Sequence, residues 1–231
     1  MTAPQGALYL VATPIGNLGD VSSRAIQVLG DCDLVACEDT RVTAKLFAHL
    51  QISVPTTSYR EENEKRKAPE LAARIQAGES IALVSDAGFP AISDPGFRFV
   101  RECRRRKLKV IPIPGPNAGL SALSVSGLPT DKFLFLGFLP PKTAARRKAF
   151  DQWSDFNGSI VIYESKHRIQ KALTEIVEVL GTERCICVAR EMTKVHEIFH
   201  VGPAKEVRRA VDKGSQKGEF VIVIAPQGYE L

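Results

Sequence analysis

The chain has 231 residues, of which 44% are hydrophobic, so it can bury a substantial core and is neither a disordered chain nor a small disulfide scaffold. Its 31 basic and 26 acidic residues give a net charge of +5 and a pI near 9.0, which suits a polyanionic partner and favours nucleic acid. The apolar stretches are only strand-sized, which predicts no membrane segment. The start, MTAPQGALYL, lacks an export signal, so we expect a cytoplasmic protein. The five cysteines include no CxxC pair, which predicts reduced thiols.

The first half of the chain alternates short β-branched runs with helix-length amphipathic segments. Predicted strands begin at Leu8, Leu34 and Ile81, and a fourth apolar strand ends in VIPIPGP. Predicted helices span residues 22–29, 43–50, 69–76 and 118–126. Such alternation is typical of an α/β sheet, in which helices cover the apolar faces of the strands.

The second half repeats this alternation after the phrase GLPTDKF, which we interpret as the inter-domain connection. Its predicted strands are FLFLGF, IVIYE, CICVAR and FVIVIA, and its predicted helices span residues 144–153, 169–180 and 204–211. We therefore predict two α/β domains, residues 1–116 and 117–231, in preference to one large domain.

Three loops rich in glycine and proline follow three of the first-half strands. They read TPIGNLGD (13–20), VSDAGFPAISDPG (84–96) and IPIPGPNAGLSAL (111–123). The first lacks both the GxGxxG and the Walker spacing, and each loop alone is explained by ordinary strand-to-helix turn chemistry. Because open α/β sheets bind ligands at the carboxyl ends of their strands, three such loops predict a nucleotide-like cofactor. Asp86 is suited to hydrogen-bond ribose hydroxyls or to face a cationic sulfonium.

Two carboxylates, Glu38 and Asp39, end another strand in the phrase LVACEDTR. One interpretation is that Asp39 or Thr40 caps the next helix. The other is that a carboxylate here accepts the proton of a ribose hydroxyl, which is a poor nucleophile until that proton is removed. The sequence leaves open which of the two would be the catalytic base.

A basic cluster follows the phrase GFLPP in the second half. Lys142, Arg146, Arg147 and Lys148 start a predicted helix, where positive charge opposes the helix dipole, so an external anion explains them better than the helix does. Together with Arg41, these four residues are the predicted RNA contacts.

The segment HEIFH (196–200) matches the zinc-peptidase pattern HExxH, which requires both histidines on one face of a helix. Its β-branched and aromatic neighbours, and Gly202 and Pro203 directly after it, argue against a helix. We therefore predict no zinc site, and we predict no other metal.

Taken together, the phrases of this chain resemble the class of methyltransferases that includes the tetrapyrrole methylases, and specifically their ribosomal RNA 2′-O-methyltransferase branch. The resemblance runs from about Leu8 to Ile224, on VATPIGNLGD, LVACEDTR, VSDAG, SDPG, PGPNA, GLPTDKF, GFLPPK, YES-x-HR, AREMTK and KGEF. The chain departs from the family pattern at Phe89, at Lys166 and over residues 59–64, which concerns substrate contacts more than methyl transfer.

The resemblance implies two α/β domains with S-adenosylmethionine in the cleft between them, a homodimer, and 2′-O-methylation of a decoding-centre cytidine in 16S ribosomal RNA. The cofactor residues that the family's motifs imply here are Pro14, Gly16, Asn17, Asp86, Ala87, Gly88, Pro116, Asn117, Ala118, Tyr163, Arg190, Glu191 and Gly218. Two alternatives stay open. One is a methyltransferase of the same fold that acts on a tetrapyrrole or a protein side chain, and the other is a non-catalytic RNA-binding module.

Overall fold

In a computed structural model that describes residues 6–231, the chain divides into two units. The first unit ends at Asn117, and the second extends from Ala118 to Leu231. Residues 1–5, where the predicted first domain and the start without an export signal begin, lie outside the described part. No helix among the described residues combines the length and the apolar character that crossing a membrane requires.

The first unit is built on a five-stranded sheet in which every paired strand is parallel, in the order β3-β2-β4-β1-β5. The strands are β1 (Ala7–Val11), β2 (Leu34–Cys37), β3 (Thr56–Ser58), β4 (Ile81–Val84) and β5 (Lys109–Ile113). The helices are α1 (Ser23–Asp31), α2 (Thr40–Leu50), α3 (Glu64–Gln76) and α4 (Phe97–Arg105). The central strands β2 and β4 are buried along their whole length, as expected for a sheet covered on both faces.

Alternate side chains of the first sheet build two hydrophobic layers. Tyr9 and Val35 pack with α1 and α2 on one face, and Leu8 and Leu83 pack with α3 and α4 on the other. The chain leaves β2 through α2 toward the β3 edge, whereas it leaves β4 through α4 toward the β5 edge. The two connections diverge between β2 and β4, which makes the carboxyl ends of these strands the topological switch point where α/β sheets bind ligands.

The second unit has a mixed sheet in the order β6-β7-β10-β8-β9, with β6 parallel to β7 and the other pairs antiparallel. Its strands are β6 (Phe133–Phe138), β7 (Ser159–Ser165), β8 (Cys185–Arg190), β9 (Ile198–Pro203) and β10 (Glu219–Ile224). Its helices are α5 (Ala118–Val125), α6 (Thr143–Gln152), α7 (Ile169–Leu180) and α8 (Ala204–Lys213). Helices α6, α7 and α8 cover one face, while α5 lies against β7 and β10.

The predicted α/β fold class is confirmed, with differences at particular elements. Strand β3 was not predicted, because three half-exposed residues carry no periodic pattern. Helix α3 begins five residues before the predicted start, and Pro69 lies inside it. The HEIFH segment is not helical: β9 begins at Ile198 and includes His200.

All five cysteines are buried free thiols, as their spacing predicted. Burial raises the pKa of Cys32 and of Cys103 to about 12 and the pKa of Cys187 to about 11. Burial also raises the pKa of Cys37 and of Cys185. Since the thiolate is the reactive form, these thiols are chemically quiet at neutral pH.

Candidate functional site

The three glycine- and proline-rich loops of the first unit meet at Gly88. The backbone amides of Thr13 and Gly88 each donate to the other residue's carbonyl, at 2.9 and 3.0 Å. Gly88 has a φ of +82°, and a Cβ added there would lie 3.5 Å from Ile15 Cγ2 and 3.8 Å from the Pro116 carbonyl. The loops after β1, β4 and β5 therefore converge on one glycine at the carboxyl edge of the sheet.

Hydrogen bonds fix this convergence. The Thr13 hydroxyl donates to the Ser85 carbonyl at 3.1 Å, and the Ser85 hydroxyl donates to the Gly88 carbonyl at 3.3 Å. A Cβ at Gly115 would lie 2.9 Å from Ala12 Cβ, so the loop after β5 approaches β1 in a way that only glycine permits. The result is a rigid backbone surface made by three chain segments.

The predicted first-unit cofactor residues surround this surface. Gly16, Asn17, Asp86 and Ala87 are exposed, and Pro14, Pro116 and Asn117 are half-buried. The Asn17 side chain accepts from the Gly19 amide at 2.9 Å and caps a short 3₁₀ turn, Leu18–Asp20. Asp86 accepts from the Asp39 amide at 3.1 Å, which links the loop after β4 to the loop after β2.

A pocket of about 620 Å³ opens beside this surface, at the switch point between β2 and β4. We call it the switch-point pocket. It is lined by Glu38, Asp39, Arg41, Arg60, Glu61, Glu62, Glu64, Asp86, Ser93, Asp94, Pro95, Gly96 and Phe97. Seven carboxylates and two guanidinium groups give the lining a negative character, which favours a neutral or cationic occupant.

Asp39 serves the helix cap that the sequence offered as one interpretation. Its carboxylate accepts from the Arg41 amide at 2.8 Å and forms an ion pair with the Arg41 guanidinium at 2.6 Å. Hydrogen bonds from Arg41 hold the pKa of Asp39 well below its usual range. A carboxylate stabilised in its ionised form is a poor proton acceptor.

Glu38 is held differently, although it is the preceding residue. Burial raises its pKa, the charges of Asp94 and Asp86 add to the increase, and the nearby Arg60 opposes it. The Arg60 side chain also donates from Nε to the Glu38 carbonyl at 2.9 Å and so fixes the backbone that carries the carboxylate. Of the two predicted candidates, Glu38 has the environment of a general base.

Most of the pocket lining was absent from the predicted site, including Arg60, Asp94 and Phe97. Burial raises the pKa of Asp94 to about 6, and the charge of Asp86 contributes to the increase. Phe97 is 64% exposed. The phrase SDPGF follows the same strand as Asp86, and that shared origin is a signal that could have identified Asp94 and Phe97. Arg60 follows the unpredicted β3 and carried no such signal.

In the second unit, Tyr163 lies near the carboxyl end of β7 among aromatic side chains. Its hydroxyl accepts from the Gly119 amide at 3.1 Å, near the start of α5 and one residue after the predicted Ala118. The Phe135 and Phe138 rings contact it edge to face, with centroids 5.1 and 5.6 Å away. A Cβ at Gly119 would lie 3.3 Å from the tyrosine oxygen, so this approach depends on glycine.

Arg190, Glu191 and Gly218 lie together at the same edge of the second sheet as Tyr163, because β8 is parallel to β7 while β10 begins there. Arg190 Nε donates to the Lys217 carbonyl at 2.7 Å, and the Glu191 carboxylate accepts from the Glu219 amide at 3.0 Å. A Cβ at Gly218 would lie 2.4 Å from the Glu191 carboxyl carbon, so only glycine leaves room for that carboxylate.

The basic cluster before and within α6 separates into buried and exposed members. Arg146 is 1% exposed and pairs through Nε and Nη2 with both Glu175 oxygens, at 2.5 and 2.6 Å. The prediction that Arg146 contacts RNA is therefore wrong, because its charge is neutralised inside the fold. Arg147 pairs with Glu178. Lys142 and Lys148 are exposed, as is Arg41 in the first unit.

Arg146 also holds the loop that precedes its helix. Its Nη1 donates to the carbonyls of Pro140 and Pro141 at 3.3 and 3.2 Å, and Arg168 Nη1 donates to the Leu139 carbonyl at 3.2 Å. Two buried or half-buried guanidinium groups therefore fix the backbone just before Lys142. Within residues 6–231, no group of His, Cys, Asp and Glu side chains has the arrangement of a metal site.

Comparison with known proteins places this architecture among methyltransferases. A family model described as Tetrapyrrole (Corrin/Porphyrin) Methylases matches residues 7–208. Among solved structures, a cobalt precorrin-4 methyltransferase superposes with a TM-score of 0.67 at 14% identity, over 96% of this chain and 97% of that one. A uroporphyrin III C-methyltransferase from Thermus thermophilus superposes with a TM-score of 0.64 at 16% identity, over 95% and 97%. At these identities the likeness concerns the fold alone.

Curated sequences give a much stronger likeness. The protein named ribosomal RNA small subunit methyltransferase I of Vibrio cholerae is 47% identical over 96% of this chain and 79% of its own length. The proteins of the same name from Synechocystis and from Escherichia coli O157:H7 are 48% and 46% identical, each over 95% of this chain and over 79% and 78% of their lengths.

Proposed function

Because the chain belongs to the tetrapyrrole methylase family, and within it to the ribosomal RNA small subunit methyltransferase I group, we propose that it transfers a methyl group from S-adenosylmethionine to small-subunit ribosomal RNA. In this proposal the acceptor is the ribose 2′-hydroxyl of a decoding-centre cytidine, cytidine-1402 of 16S RNA, as the family resemblance implies. The observation that carries the proposal is the switch-point pocket, in which Glu38 lies next to the surface where three loops converge on Gly88.

The convergent loops fit a nucleotide-like cofactor. Gly88 adopts a positive φ where the three loops meet, and Asp86 presents an exposed carboxylate at the same edge. A carboxylate there suits ribose hydroxyls or a positively charged sulfur. When bound, S-adenosylmethionine supplies a methyl group already activated by that sulfur.

We assign cofactor contacts to both units. In the first unit they are Pro14, Gly16, Asn17, Asp86, Ala87, Gly88, Pro116 and Asn117. In the second they are Ala118, Tyr163, Arg190, Glu191 and Gly218. The fixed positions of the Tyr163 hydroxyl and of the Glu191 carboxylate support the second set, because contacts held by the fold lose little entropy when a ligand binds.

Glu38 is the proton acceptor in this proposal. The Glu38 carboxylate would accept the proton of the ribose 2′-hydroxyl as that oxygen takes the methyl group, which S-adenosylmethionine would supply when bound. A base with a raised pKa can take the proton at neutral pH, whereas Asp39 is held ionised by Arg41. Most of the rate enhancement would come from holding the two reacting atoms in line.

A tetrapyrrole acceptor is the second candidate, and the pocket argues against it. Seven carboxylates and two arginines in the lining would repel a multiply carboxylated ring. The solved tetrapyrrole methyltransferases share only 14 to 17% identity with this chain, whereas the ribosomal RNA methyltransferases share 42 to 48%. A non-catalytic RNA-binding module would leave the convergent loops and the environment of Glu38 without a role.

The partner in this proposal is small-subunit ribosomal RNA, within the assembled subunit, and the protein acts as a homodimer. Exposed Lys142 and Lys148 of the second unit and Arg41 of the first are the proposed RNA contacts.

Alkaline hydrolysis tests the function. An unmodified 2′-hydroxyl attacks the neighbouring phosphate under alkali and cleaves the chain, and a methylated one cannot. Small-subunit RNA from cells that lack this protein should show one additional cleavage in the decoding region, and purified protein with S-adenosylmethionine should remove it. Transfer of labelled methyl to a base or to a protein would contradict the ribose assignment, and no transfer at all would contradict the methyltransferase.

A further inference from the structure

We infer that the switch-point pocket of the first unit receives the nucleoside that is methylated, and that the ring of Phe97 stacks on its base. This inference rests on the proposed function and assigns the acceptor a place within it.

The position of the pocket leaves it available to a second ligand. The convergence on Gly88 involves β4, β1 and β5, whereas the pocket opens between β2 and β4, on the opposite side of β4 in the sheet order. The loop after β4 serves both places, with Gly88 at the convergence and Asp86 in the pocket lining. A volume of about 620 Å³ lies within the range of small-molecule sites.

Phe97 is held at this pocket by the turn before it. Gly96 has a φ of +147°, and a Cβ there would lie 2.8 Å from Ala91 Cβ and 2.9 Å from Leu83 Cδ2, so the turn closes tightly against β4. Phe97 is 64% exposed at the start of α4, and the Arg101 guanidinium lies over its ring, 5.5 Å from the centroid. Proteins stack unpaired bases on solvent-exposed aromatic rings of this kind.

The remaining lining matches the other parts of a nucleotide. Glu38 offers the proton acceptor that a ribose hydroxyl needs, and Arg41, whose side chain is 84% exposed, lies at the pocket where flanking phosphates would pass. The excess of carboxylates keeps free polyanions out of the interior, so a neutral nucleoside is favoured inside and its phosphates stay outside.

The test uses the variants Phe97→Ala and Phe97→Tyr with Phe133→Ala as the control, since Phe133 is also exposed but lies in the second unit at the start of β6. Steady-state methylation is measured on small ribosomal subunits that lack the modification. Affinity for S-adenosylmethionine is measured by calorimetry without RNA. Binding of an RNA oligonucleotide with a fluorescent cytidine analogue at the acceptor position reports stacking independently of activity.

We expect Phe97→Ala to lower kcat/KM for the subunits by about 10-fold and to reduce quenching of the bound analogue, since stacking of one base makes a contribution of that size. The kcat/KM of Phe97→Tyr and of Phe133→Ala should stay within about threefold of the wild-type value. All variants should bind S-adenosylmethionine with wild-type affinity. Wild-type kcat/KM in Phe97→Ala would overturn the inference. A loss of S-adenosylmethionine affinity in Phe97→Ala would also overturn it, because the ring would then contact the cofactor and not the acceptor base. An inactive wild type would instead contradict the proposed function.

Discussion

Neighbouring carboxylates acquire opposite properties at Glu38 and Asp39. Asp39 accepts from the Arg41 amide in the first turn of α2 and pairs with the Arg41 guanidinium, and both contacts stabilise its charge. Glu38 is half-buried beside Asp86 and Asp94, both of which disfavour its charge. Asp39 therefore caps the helix, and Glu38 is the proton acceptor that we propose.

Replacing each carboxylate by its amide tests this division. Glu38→Gln keeps the shape and loses the proton acceptor, so the single-turnover rate should fall by about 100-fold or more. Asp39→Asn retains an oxygen for the helix cap and should lose less than about 10-fold. Calorimetry should show unchanged S-adenosylmethionine affinity in both. Equal activity in the two variants would leave positioning as the whole account of catalysis.

Asp94 should tune the pH dependence through Glu38. The charge of Asp94 raises the pKa of Glu38, so Asp94→Asn should lower that pKa. Because the base acts in its ionised form, the rise of the single-turnover rate with pH should move to lower pH in this variant. Asp31→Asn is the matched control, since this exposed aspartate ends α1 at the opposite edge of the sheet. A profile identical to wild type would remove Asp94 from the site.

Stability gives an independent readout of the same residue. The pKa of Asp94 is raised from 3.8 to about 6, so its ionisation stabilises the unfolded chain more than the folded one, and folded-state stability is lost as the pH rises through about 6. Allowing for solvent screening, Asp94→Asn should increase the free energy of unfolding by about 1 to 2 kcal/mol at pH 8 and very little below pH 4. If Asp94→Asn is more stable than the wild type and its pH–rate profile is shifted, Asp94 is a functional carboxylate that is kept at a cost in stability.

At the scale of elements, the three loops could be predicted and their meeting point could not. The pattern of apolar runs that end in glycine and proline located the loops after β1, β4 and β5. Strand order was not in that pattern, because β1 pairs with β4 and β5, 70 and more residues away, through packing that local periodicity does not encode. For that reason the pocket between β2 and β4 emerged only in the fold.

The prediction for Arg146 was also limited by contacts that are distant in sequence. Its neighbours in sequence are basic, and the start of a helix is a poor place for cations, so an external anion was a sound interpretation. Its partner Glu175 is 29 residues away on α7, and the pair meets only when α6 packs on α7. Long-range pairing replaced the predicted RNA contact with a buried ion pair.

Glycine 88 can be tested against a second glycine of similar conformation. Gly88→Val and Gly78→Val both place a side chain at a positive φ, +82° and +107°, so both should lose about 1 to 2 kcal/mol of stability. Gly78 follows α3 and has open space around its Cβ position. Only Gly88→Val should weaken S-adenosylmethionine binding, by 10-fold or more in calorimetry. Equal affinities would exclude this loop from the cofactor site.

Removing Arg146 should destabilise the second unit without affecting RNA binding. Arg146→Met leaves Glu175 buried without its partner, which costs about 3 to 5 kcal/mol. The double variant Arg146→Met with Glu175→Leu should recover much of this loss, because neither charge then remains buried. Urea denaturation measures both. If Arg146→Met instead kept its stability and bound RNA less tightly, the residue would be an RNA contact after all.

At the scale of the whole molecule, the switch-point pocket is rich in acidic residues, whereas the remainder of the chain has an excess of basic residues. Seven of the 26 acidic residues but only two of the 31 basic residues line the switch-point pocket. The remainder of the chain therefore has 29 basic against 19 acidic residues. A positive exterior attracts an RNA-rich particle, while the negative interior of the pocket selects what enters.

Salt dependence measures the contribution of the exterior. Lys142→Gln with Lys148→Gln should reduce the slope of log affinity for RNA against log salt by about 1 to 2, since each phosphate contact contributes about 0.7 to 0.9. Lys205→Gln is the control, because this exposed lysine lies on α8, which begins where β9 ends. S-adenosylmethionine affinity should be unchanged throughout. An unaltered slope in the double variant would mean that these lysines are simply solvated.

The buried thiols offer a practical consequence for following the protein on its substrate. Since all five native cysteines are buried and their pKa values are raised, maleimide reagents should leave the native chain almost unlabelled. The variant Val195→Cys introduces a thiol at a side chain that is 96% exposed, in the turn between β8 and β9. A dye or photo-crosslinker attached there would mark a single point of the second unit, and its crosslinks to small subunits would test the proposed partner and map the surface that faces this point.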